Sequence, residues 1–138
     1  MCIRDRPQDD DRALMGELSA ETLQFRGVRG YVVDGGCRDV SFIRKMKFPV
    51  FCRFTTPRDI VAAWTPQDYE VPISIGEVTI QSGDFILGDQ DGVVMLPGIH
   101  AESIINRVEE VMQTENLVRK AILEGIHPRE AYLRHRKF

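Results

Sequence analysis

Several residue types that mark particular functions are scarce in this chain of 138 residues. Its three cysteines, Cys2, Cys37 and Cys52, form neither an even set nor a CxxC pair. This argues against a disulfide framework and a zinc site, so we expect three reduced thiols. All three histidines follow residue 99. Cys37 therefore has no histidine nearby in the sequence to activate it, and we do not expect a catalytic cysteine.

Lysine, basic charge and long apolar runs are also scarce. The four lysines lie in polar helical or terminal segments, whereas a Schiff-base enzyme needs a buried, activated amine. The formal net charge of -3 argues against a nucleic-acid partner. No apolar run approaches the roughly 20 residues of a membrane span, and the first residues contain no apolar signal core. We therefore expect a cytoplasmic protein without a membrane partner.

The length of the chain limits the number of domains. A chain of 138 residues is long enough for one hydrophobic core. We therefore expect a single domain over residues 1–138. The first six residues, MCIRDR, resemble translated adapter sequence, so we expect residues 1–6 to be non-native and the upstream part of the domain to be missing.

Helical and strand patterns alternate through the first half of the chain. Leu14, Leu18 and Phe25 repeat at helical spacing, which predicts a helix from about Met15 to Arg26. The run GYVVDGG predicts a short buried strand ended by glycines, and FPVFCRF predicts another strand. Between them, apolar residues at helical spacing predict a helix that begins at Asp39. This alternation is typical of an α/β fold with parallel strands.

The second half begins with a loop, continues with short strands and ends in helices. The pattern is irregular from Thr55 to Tyr69, and we expect the lone Trp64 to be a lid or packing residue. Short apolar runs separated by glycines predict hairpins. Among them GDQDGV, residues 88–93, lacks the later glutamate of a calcium loop and predicts a turn. An apolar stripe predicts a helix over Ala101 to Leu123, and Pro128 starts a shorter one.

The most informative motif is the pair Arg38 and Asp39, which follows the predicted buried strand and its two glycines. In parallel α/β folds, ligands bind beyond the carboxyl ends of strands, and the first N–H groups of the next helix attract anions. Arg38 could hold a carboxylate with its planar guanidinium. Asp39 could offer a hard oxygen to Mg²⁺ or Mn²⁺. The alternative is that Asp39 only caps the next helix and Arg38 is a surface charge.

Glu17 is the second candidate residue, at the start of the first predicted helix. Crossover geometry brings the N-termini of the two predicted helices to one edge of the sheet. A carboxylate there could act as a general base, directly or through a water molecule. The alternative is that Glu17 only stabilises the helix dipole in the first turn.

Three ordered segments resemble the RraA-like family. They are GELSAETLQFRGVRGYVVDGGCRDV, FPVFCRFTTPRD and GDFILGDQDGVVMLP, and the resemblance extends from about Arg12 to Leu96. The family includes class II 4-hydroxy-4-methyl-2-oxoglutarate and 4-carboxy-4-hydroxy-2-oxoadipate aldolases, and also a regulator of ribonuclease E activity. The resemblance implies an α/β fold of the swivelling β/β/α type. It also implies a homotrimer (or hexamer) with sites near the subunit interfaces.

The aldolase branch of the family has an acidic residue and, after twenty intervening residues, an Arg-Asp pair, and Glu17 and Arg38 have this separation. The resemblance implies that Asp39 binds Mg²⁺ (or Mn²⁺), that Arg38 binds the 2-oxo acid and that Glu17 is the catalytic base. The residues implied to line the substrate are Gly16, Glu17, Leu18 and Ser19. Glu17 departs from the family pattern, which has aspartate there, and this leaves the substrate open.

The implied activity is cleavage of a 4-hydroxy-2-oxo dicarboxylic acid to pyruvate, with oxaloacetate decarboxylation as a side activity. The ribonuclease regulator lacks the aspartate after the arginine, so the presence of Asp39 favours an enzyme. A non-catalytic regulator of ribonuclease activity, acting by protein binding, is the alternative. Strands such as VPISI and GVVML are apolar on both faces, so we expect the chain alone to expose apolar surface that a neighbouring subunit or an upstream segment covers.

Overall fold

The computed structural model describes residues 2–5, 11–63 and 65–136. The prediction for Trp64 falls outside these residues, as do parts of the MCIRDR segment. Contacts divide the chain into two compact units, residues 1–95 and 96–138, and the single domain stays a prediction. Among the described residues, no helix combines the length and the apolar character that crossing a bilayer requires.

The first unit alternates strands with two helices and then continues as short strands. In chain order the elements are β1 (Cys2–Arg4), β2 (Ala13–Met15), α1 (Glu17–Phe25), β3 (Tyr31–Cys37), α2 (Val40–Met46), β4 (Val50–Thr55), β5 (Ile73–Ile75), β6 (Val78–Ile80), β7 (Phe85–Gly88) and β8 (Val93–Leu96). The second unit contains a 3-10 turn and two helices. They are the turn Gly98–His100, α3 (Ala101–Leu123) and α4 (Pro128–Arg134).

β3 lies at the centre of a parallel sheet of four strands. β4 pairs with both halves of β3, whereas β1 pairs with residues 31–33 and β2 with residues 36–37. β1 and β2 must therefore follow one another along the edge of β3 that β4 does not occupy. The predicted parallel α/β arrangement is confirmed.

The main core packs one face of this sheet against α1 and α2. β3 is buried along its length except at Asp34, which is half-buried and pairs with Arg53 of β4 at 3.5 Å. Such a strand has little contact with water on either face, which explains why its sequence is a nearly continuous apolar run. The buried residues of the cluster are Leu14, Met15, Ala20, Tyr31, Val33, Cys37, Ile43 and Phe48.

The start of α1 differs from the prediction. Residues 13–15 form β2, in which Leu14 is buried, and the helix begins only at Glu17. Leu18 and Phe25 share helical spacing with Leu14, but they are 76% and 90% exposed, and Ala20 takes the buried position. Periodicity alone does not separate a short strand from a helical turn. Residues 13–15 form a strand and not a helical turn because β2 pairs with β3.

The remaining strands of the first unit form two hairpins. β5 pairs antiparallel with β6, and β7 pairs with β8. The carboxylate of Asp89 accepts the N–H of Asp91 at 2.8 Å, so GDQDGV is the predicted turn. Phe85, Leu87 and Val94 of this hairpin are exposed. The predicted exposed apolar surface is therefore present.

The second unit is a pair of helices. α3 has the predicted bounds, and Gly125, with φ of +93°, follows its end. Val118 and Ala121 of α3 are buried in one cluster with Ala131 of α4. Val108, in the first half of the predicted apolar stripe, is 49% exposed. Within this unit, only the second half of the stripe is used for packing against α4.

Candidate functional site

The candidate site lies where β2 and β3 end side by side. The two strands are parallel, and Met15 of β2 is in register with Cys37 of β3. The backbone N–H of Arg38 donates to the carbonyl of Met15 at 2.8 Å. Gly16, which follows β2, therefore lies beside Arg38, which follows β3. This is the carboxyl edge of a parallel sheet, where ligands bind in such folds.

A side chain at Gly16 would crowd the side chains of Arg38 and Asp39. A Cβ atom there would lie 2.9 Å from both Nε of Arg38 and Oδ2 of Asp39. Its φ of -139° and ψ of -178° are ordinary extended values, so crowding by neighbouring side chains, and not backbone conformation, favours glycine here. The absent side chain lets the Arg38–Asp39 pair approach the start of α1.

Asp39 occupies a backbone conformation that is uncommon outside glycine. It is the N-cap residue of α2 with φ of 57° and ψ of 32°, and its side chain makes no capping hydrogen bond to α2. Its Oδ2 instead accepts the backbone N–H of Glu17 at 3.1 Å. The alternative that Asp39 caps its own helix is therefore wrong, because the carboxylate satisfies a donor at the start of α1. Left-handed conformations of this kind cluster at functional sites.

Arg38 is held by two carboxylates. Its Nη2 lies 3.1 Å from Oδ2 of Asp59, and its Nε lies 3.8 Å from Oδ2 of Asp39. The Arg38 side chain remains 40% exposed. Arg38 is thus an exposed charge at the edge of the sheet that two carboxylates orient, and its role in binding stays a prediction.

Asp59 was not among the residues that the sequence singled out. It lies in the loop after β4, and its Oδ1 accepts the N–H of Val61 at 3.0 Å. This hydrogen bond, with smaller contributions from the N–H of Ile60 and the charge of Arg38, holds the pKa of Asp59 below its ordinary value. The segment TTPRD carries a local signal, because an aspartate side chain in a loop often accepts the N–H two residues later. Nothing local indicates the contact with Arg38.

An open pocket of about 310 Å³ borders this arrangement. It lies between the ends of β3 and β4 and takes in both members of the motif. The lining residues are Cys37, Arg38, Asp39, Val40, Thr55, Thr56 and Pro57. The pocket therefore offers a guanidinium and a carboxylate side by side to a small polar molecule.

The other predicted site residues lie at the start of α1. The N–H of Glu17 contacts Asp39, so Glu17 belongs to the same arrangement. The side chain of Leu18 is exposed, and Leu18 and Ser19 line a second depression of about 350 Å³ together with Tyr31. The structure thus brings Gly16, Glu17 and the Arg-Asp pair together, whereas the side chains of Leu18 and Ser19 border a different surface.

The two described thiols do not resemble a nucleophile and its base. Cys37 and Cys52 are free, and Cys37 is buried. Hydrogen bonding between the two thiols, together with burial, raises the pKa of Cys37. The same hydrogen bond lowers the pKa of Cys52 to about 7. The buried Cys37 thiol therefore stays protonated at neutral pH.

Comparisons with known proteins agree with this fold. A family model described as RraA-like (Aldolase/RraA) matches residues 2–95. A protein of Halalkalibacterium halodurans, named "Putative 4-hydroxy-4-methyl-2-oxoglutarate aldolase", is 33% identical over 134 residues. The alignment covers 95% of this chain and 62% of that relative, so the chain spans less than two thirds of the relative's length.

Solved structures give the same result. An uncharacterized protein from Pseudomonas syringae superposes with a TM-score of 0.90 at 26% identity, over 95% of this chain and 62% of that one. A Streptomyces coelicolor protein, described as an unusual member of the RNase ES inhibitor RraA protein family, has a TM-score of 0.77 at 28% identity. That match covers 86% of this chain and 60% of the other. By fold, by sequence and by family model, this chain belongs to the RraA-like family.

Proposed function

We propose that this chain forms the substrate-binding part of a divalent-metal-dependent lyase that cleaves a 4-hydroxy-2-oxo dicarboxylic acid to pyruvate. The observation that carries the proposal is the contact between Asp39 and the N–H of Glu17 at 3.1 Å, with Arg38 beside it. The guanidinium of Arg38 and the carboxylate of Asp39 thus line one pocket, and the backbone of Glu17, the proposed base, contacts Asp39. The relative named as an aldolase supports the same class of reaction.

Arg38 binds the carboxylate of the 2-oxo acid in this proposal. A guanidinium carries five N–H groups in a planar fork that matches a carboxylate. Nη2 of Arg38 contacts Asp59, and Nε of Arg38 faces Asp39. At least three donors therefore remain for a ligand in the pocket that Arg38 lines.

The donor set around Asp39 fits Mg²⁺ or Mn²⁺. No group of three or more histidine, cysteine or acidic side chains in the described parts of the chain could enclose a metal ion, which disfavours zinc. Mg²⁺ instead keeps several waters and binds through one or two carboxylates. Asp39 would supply one carboxylate, since only its Oδ2 is engaged by Glu17. Such an ion would act as a Lewis acid on the carbonyl of the 2-oxo acid.

Glu17 is the proposed base, acting directly or through a water molecule. In the cleavage step the proton of the 4-hydroxyl passes to the base and the bond between carbons 3 and 4 breaks. Carbon 4 and its oxygen leave as a carbonyl compound, while the electron pair of the broken bond stays on carbon 3, which then takes up a proton to give pyruvate. The first turn of α1, with the N–H groups of Leu18 and Ser19, lies next to Asp39 and would favour negative charge there. The proposed substrate-binding segment is therefore Gly16, Glu17, Leu18 and Ser19. Leu18 and Ser19 contribute their backbone N–H groups to it.

The test uses oxaloacetate, because its decarboxylation leaves the same electron pair on carbon 3 as the aldol cleavage. We expect pyruvate to be released in the presence of Mg²⁺, to stop on addition of EDTA and to resume when Mg²⁺ or Mn²⁺ is added in excess. Release that EDTA does not affect would contradict the metal-dependent mechanism.

The second candidate function is a non-catalytic regulator of ribonuclease activity. The observation in its favour is the similarity to the Streptomyces coelicolor member of the RNase ES inhibitor family. A regulator that acts by protein binding would release no pyruvate with any metal, so the same assay separates the two candidates.

We further propose that the full-length cytoplasmic protein is a homotrimer (or hexamer), with the Arg38–Asp39 pocket near a subunit interface. The apolar side chains exposed on the β7–β8 hairpin and along α3 support an assembly, because contiguous apolar surface is rarely left in contact with water. Leu87 and Ile105 are examples, at 68% and 51% exposed.

A further inference from the structure

We propose that Asp59 is a positioning residue for Arg38, which it holds so that the remaining guanidinium donors face the pocket. The inference rests on the proposed function, in which Arg38 binds the substrate carboxylate. Asp59 contacts Nη2 of Arg38 at 3.1 Å, whereas the pocket wall is formed by Arg38 and its neighbours and not by Asp59. Asp59 therefore acts on a ligand through Arg38 in this proposal.

The carboxylate of Asp59 is fixed on both of its oxygens. Oδ1 accepts the backbone N–H of Val61 at 3.0 Å, and Oδ2 faces Arg38. The first contact closes a local turn that sets the direction of the carboxylate. A guanidinium paired with a carboxylate that is itself fixed has fewer conformations than one paired with a mobile surface side chain.

The loop that carries Asp59 is tied to the chain just before and at β2. The carbonyl of Arg58 accepts the N–H of Ala13 at 2.9 Å, and the carbonyl of Asp59 accepts Nη1 of Arg12 at 3.1 Å. The side chains of Arg58 and Asp11 form a further ion pair. β2 is followed directly by Gly16. The same strand therefore supports both the loop of Asp59 and the residue that lies beside Arg38 and Asp39.

Asp59 also limits how closely Arg38 approaches Asp39. Nε of Arg38 lies 3.8 Å from Oδ2 of Asp39, farther than its Nη2 lies from Asp59. Without the charge on Asp59, Asp39 would be the one carboxylate among the described residues that pairs with the guanidinium. Arg38 and Asp39 would then pair more closely with each other. The guanidinium would be less available to the substrate, and the carboxylate less available to the metal ion.

The substitution Asp59→Asn tests this role. Its amide oxygen can still accept the N–H of Val61, so the turn is kept while the charge is lost. We expect roughly a tenfold higher KM for oxaloacetate, because a guanidinium that is no longer held in place contacts the substrate carboxylate less well. We expect kcat to change by less than about threefold, because Asp59 does not touch the reacting atoms. A roughly tenfold lower kcat with an unchanged KM would overturn the proposal.

The matched control is Asp89→Asn. Asp89 is also exposed and also closes a turn, by accepting the N–H of Asp91 at 2.8 Å, but it lies in the β7–β8 hairpin with no arginine contact among the described residues. It should leave KM and kcat unchanged. Asp59→Glu should recover part of the lost affinity, since the charge returns on a longer side chain.

A double-mutant cycle tests whether Asp59 acts through Arg38. In an Arg38→Lys background, adding Asp59→Asn should raise KM by less than about twofold. Independent, additive effects of the two changes would mean that Asp59 has a separate structural role, and the proposal would be wrong.

A spectroscopic readout separates this proposal from the proposed function. The Nε–H signal of Arg38, assigned by its loss in Arg38→Lys, should shift and exchange faster with water in Asp59→Asn, but not in Asp89→Asn. If wild-type protein releases no pyruvate, the proposed function fails, and this signal still decides the positioning role. An unchanged Arg38 signal in Asp59→Asn would overturn it.

Discussion

The side chain of Asp39 caps α1, which lies before β3 in the chain. It makes no capping hydrogen bond to α2, although Asp39 is the N-cap residue of that helix. Its Oδ2 accepts the N–H of Glu17 at 3.1 Å, while its backbone adopts φ of 57° at the start of α2. The carboxylate therefore joins the N-termini of α1 and α2 at the carboxyl edge of the sheet. The predictions below follow from this contact and from the packing around it.

Asp39→Asn should abolish Mg²⁺-dependent pyruvate release and leave the fold intact. The amide oxygen can still accept the N–H of Glu17, but it is a much weaker magnesium ligand than a carboxylate. Steady-state kinetics measure the loss of pyruvate release, and a thermal melt measures whether the fold is intact. Asp84→Asn is the control, since Asp84 likewise accepts a backbone N–H, from Gln81 at 2.8 Å. Wild-type turnover in Asp39→Asn would sink the assignment of the metal ligand.

Arg38→Lys should reduce oxaloacetate turnover at least tenfold. An ammonium group cannot form the two-pronged contact that a guanidinium makes with a carboxylate. Arg53→Lys is the control, because Arg53 pairs with Asp34 at 3.5 Å but does not line the pocket. If both variants keep wild-type KM and kcat, Arg38 has only a structural role.

Gly16→Ala should impair both the site and the stability of the protein. The added Cβ would lie 2.9 Å from Arg38 and Asp39, and relieving such crowding typically costs about 1–3 kcal/mol. We expect a lower midpoint of thermal unfolding and a higher KM. Gly27→Ala is the control: its φ of +81° makes alanine strained, but its Cβ would meet no atom within 4 Å. That variant should lose about 1 kcal/mol of stability without any change in KM.

Cys52 should react with iodoacetamide faster than Cys37 near neutral pH. Its pKa is lowered to about 7 by hydrogen bonding with Cys37, whereas Cys37 is buried and its pKa is raised. A lowered pKa means that the thiolate forms as pH rises through about 7. The labelling rate of Cys52 should therefore level off near pH 8, where an ordinary thiol still gains reactivity. Mass spectrometry of a Cys2→Ser variant over pH 6–9 measures this, and faster labelling of Cys37 would contradict it.

Light scattering tests the proposed assembly. We expect the chain extended to the length of its relatives to be a homotrimer (or hexamer), and the 138-residue chain alone to associate irregularly through its exposed apolar surface. A monodisperse, active monomer of the 138-residue chain would contradict both expectations.

Much of the fold follows from local patterns. The apolar run of Tyr31–Cys37, interrupted by Asp34, became a strand that is buried except at Asp34, and the stripe over Ala101–Leu123 became one helix with the predicted bounds. Long periodic segments and glycine turns are local features, so the sequence indicates them directly. The position of Arg38 and Asp39 after a buried strand also placed them at the edge of a parallel sheet.

What the sequence alone determined was most of the longer elements, their parallel arrangement and the residue pair at the carboxyl edge. Only the tertiary structure decided that residues 13–15 form a strand, that Asp39 contacts a residue 22 positions earlier and that Asp59 holds Arg38. The physical reason is that these features depend on which strands pair and in which register. A carboxylate finds its donor across neighbouring strands, and no local spacing of residues encodes that distance.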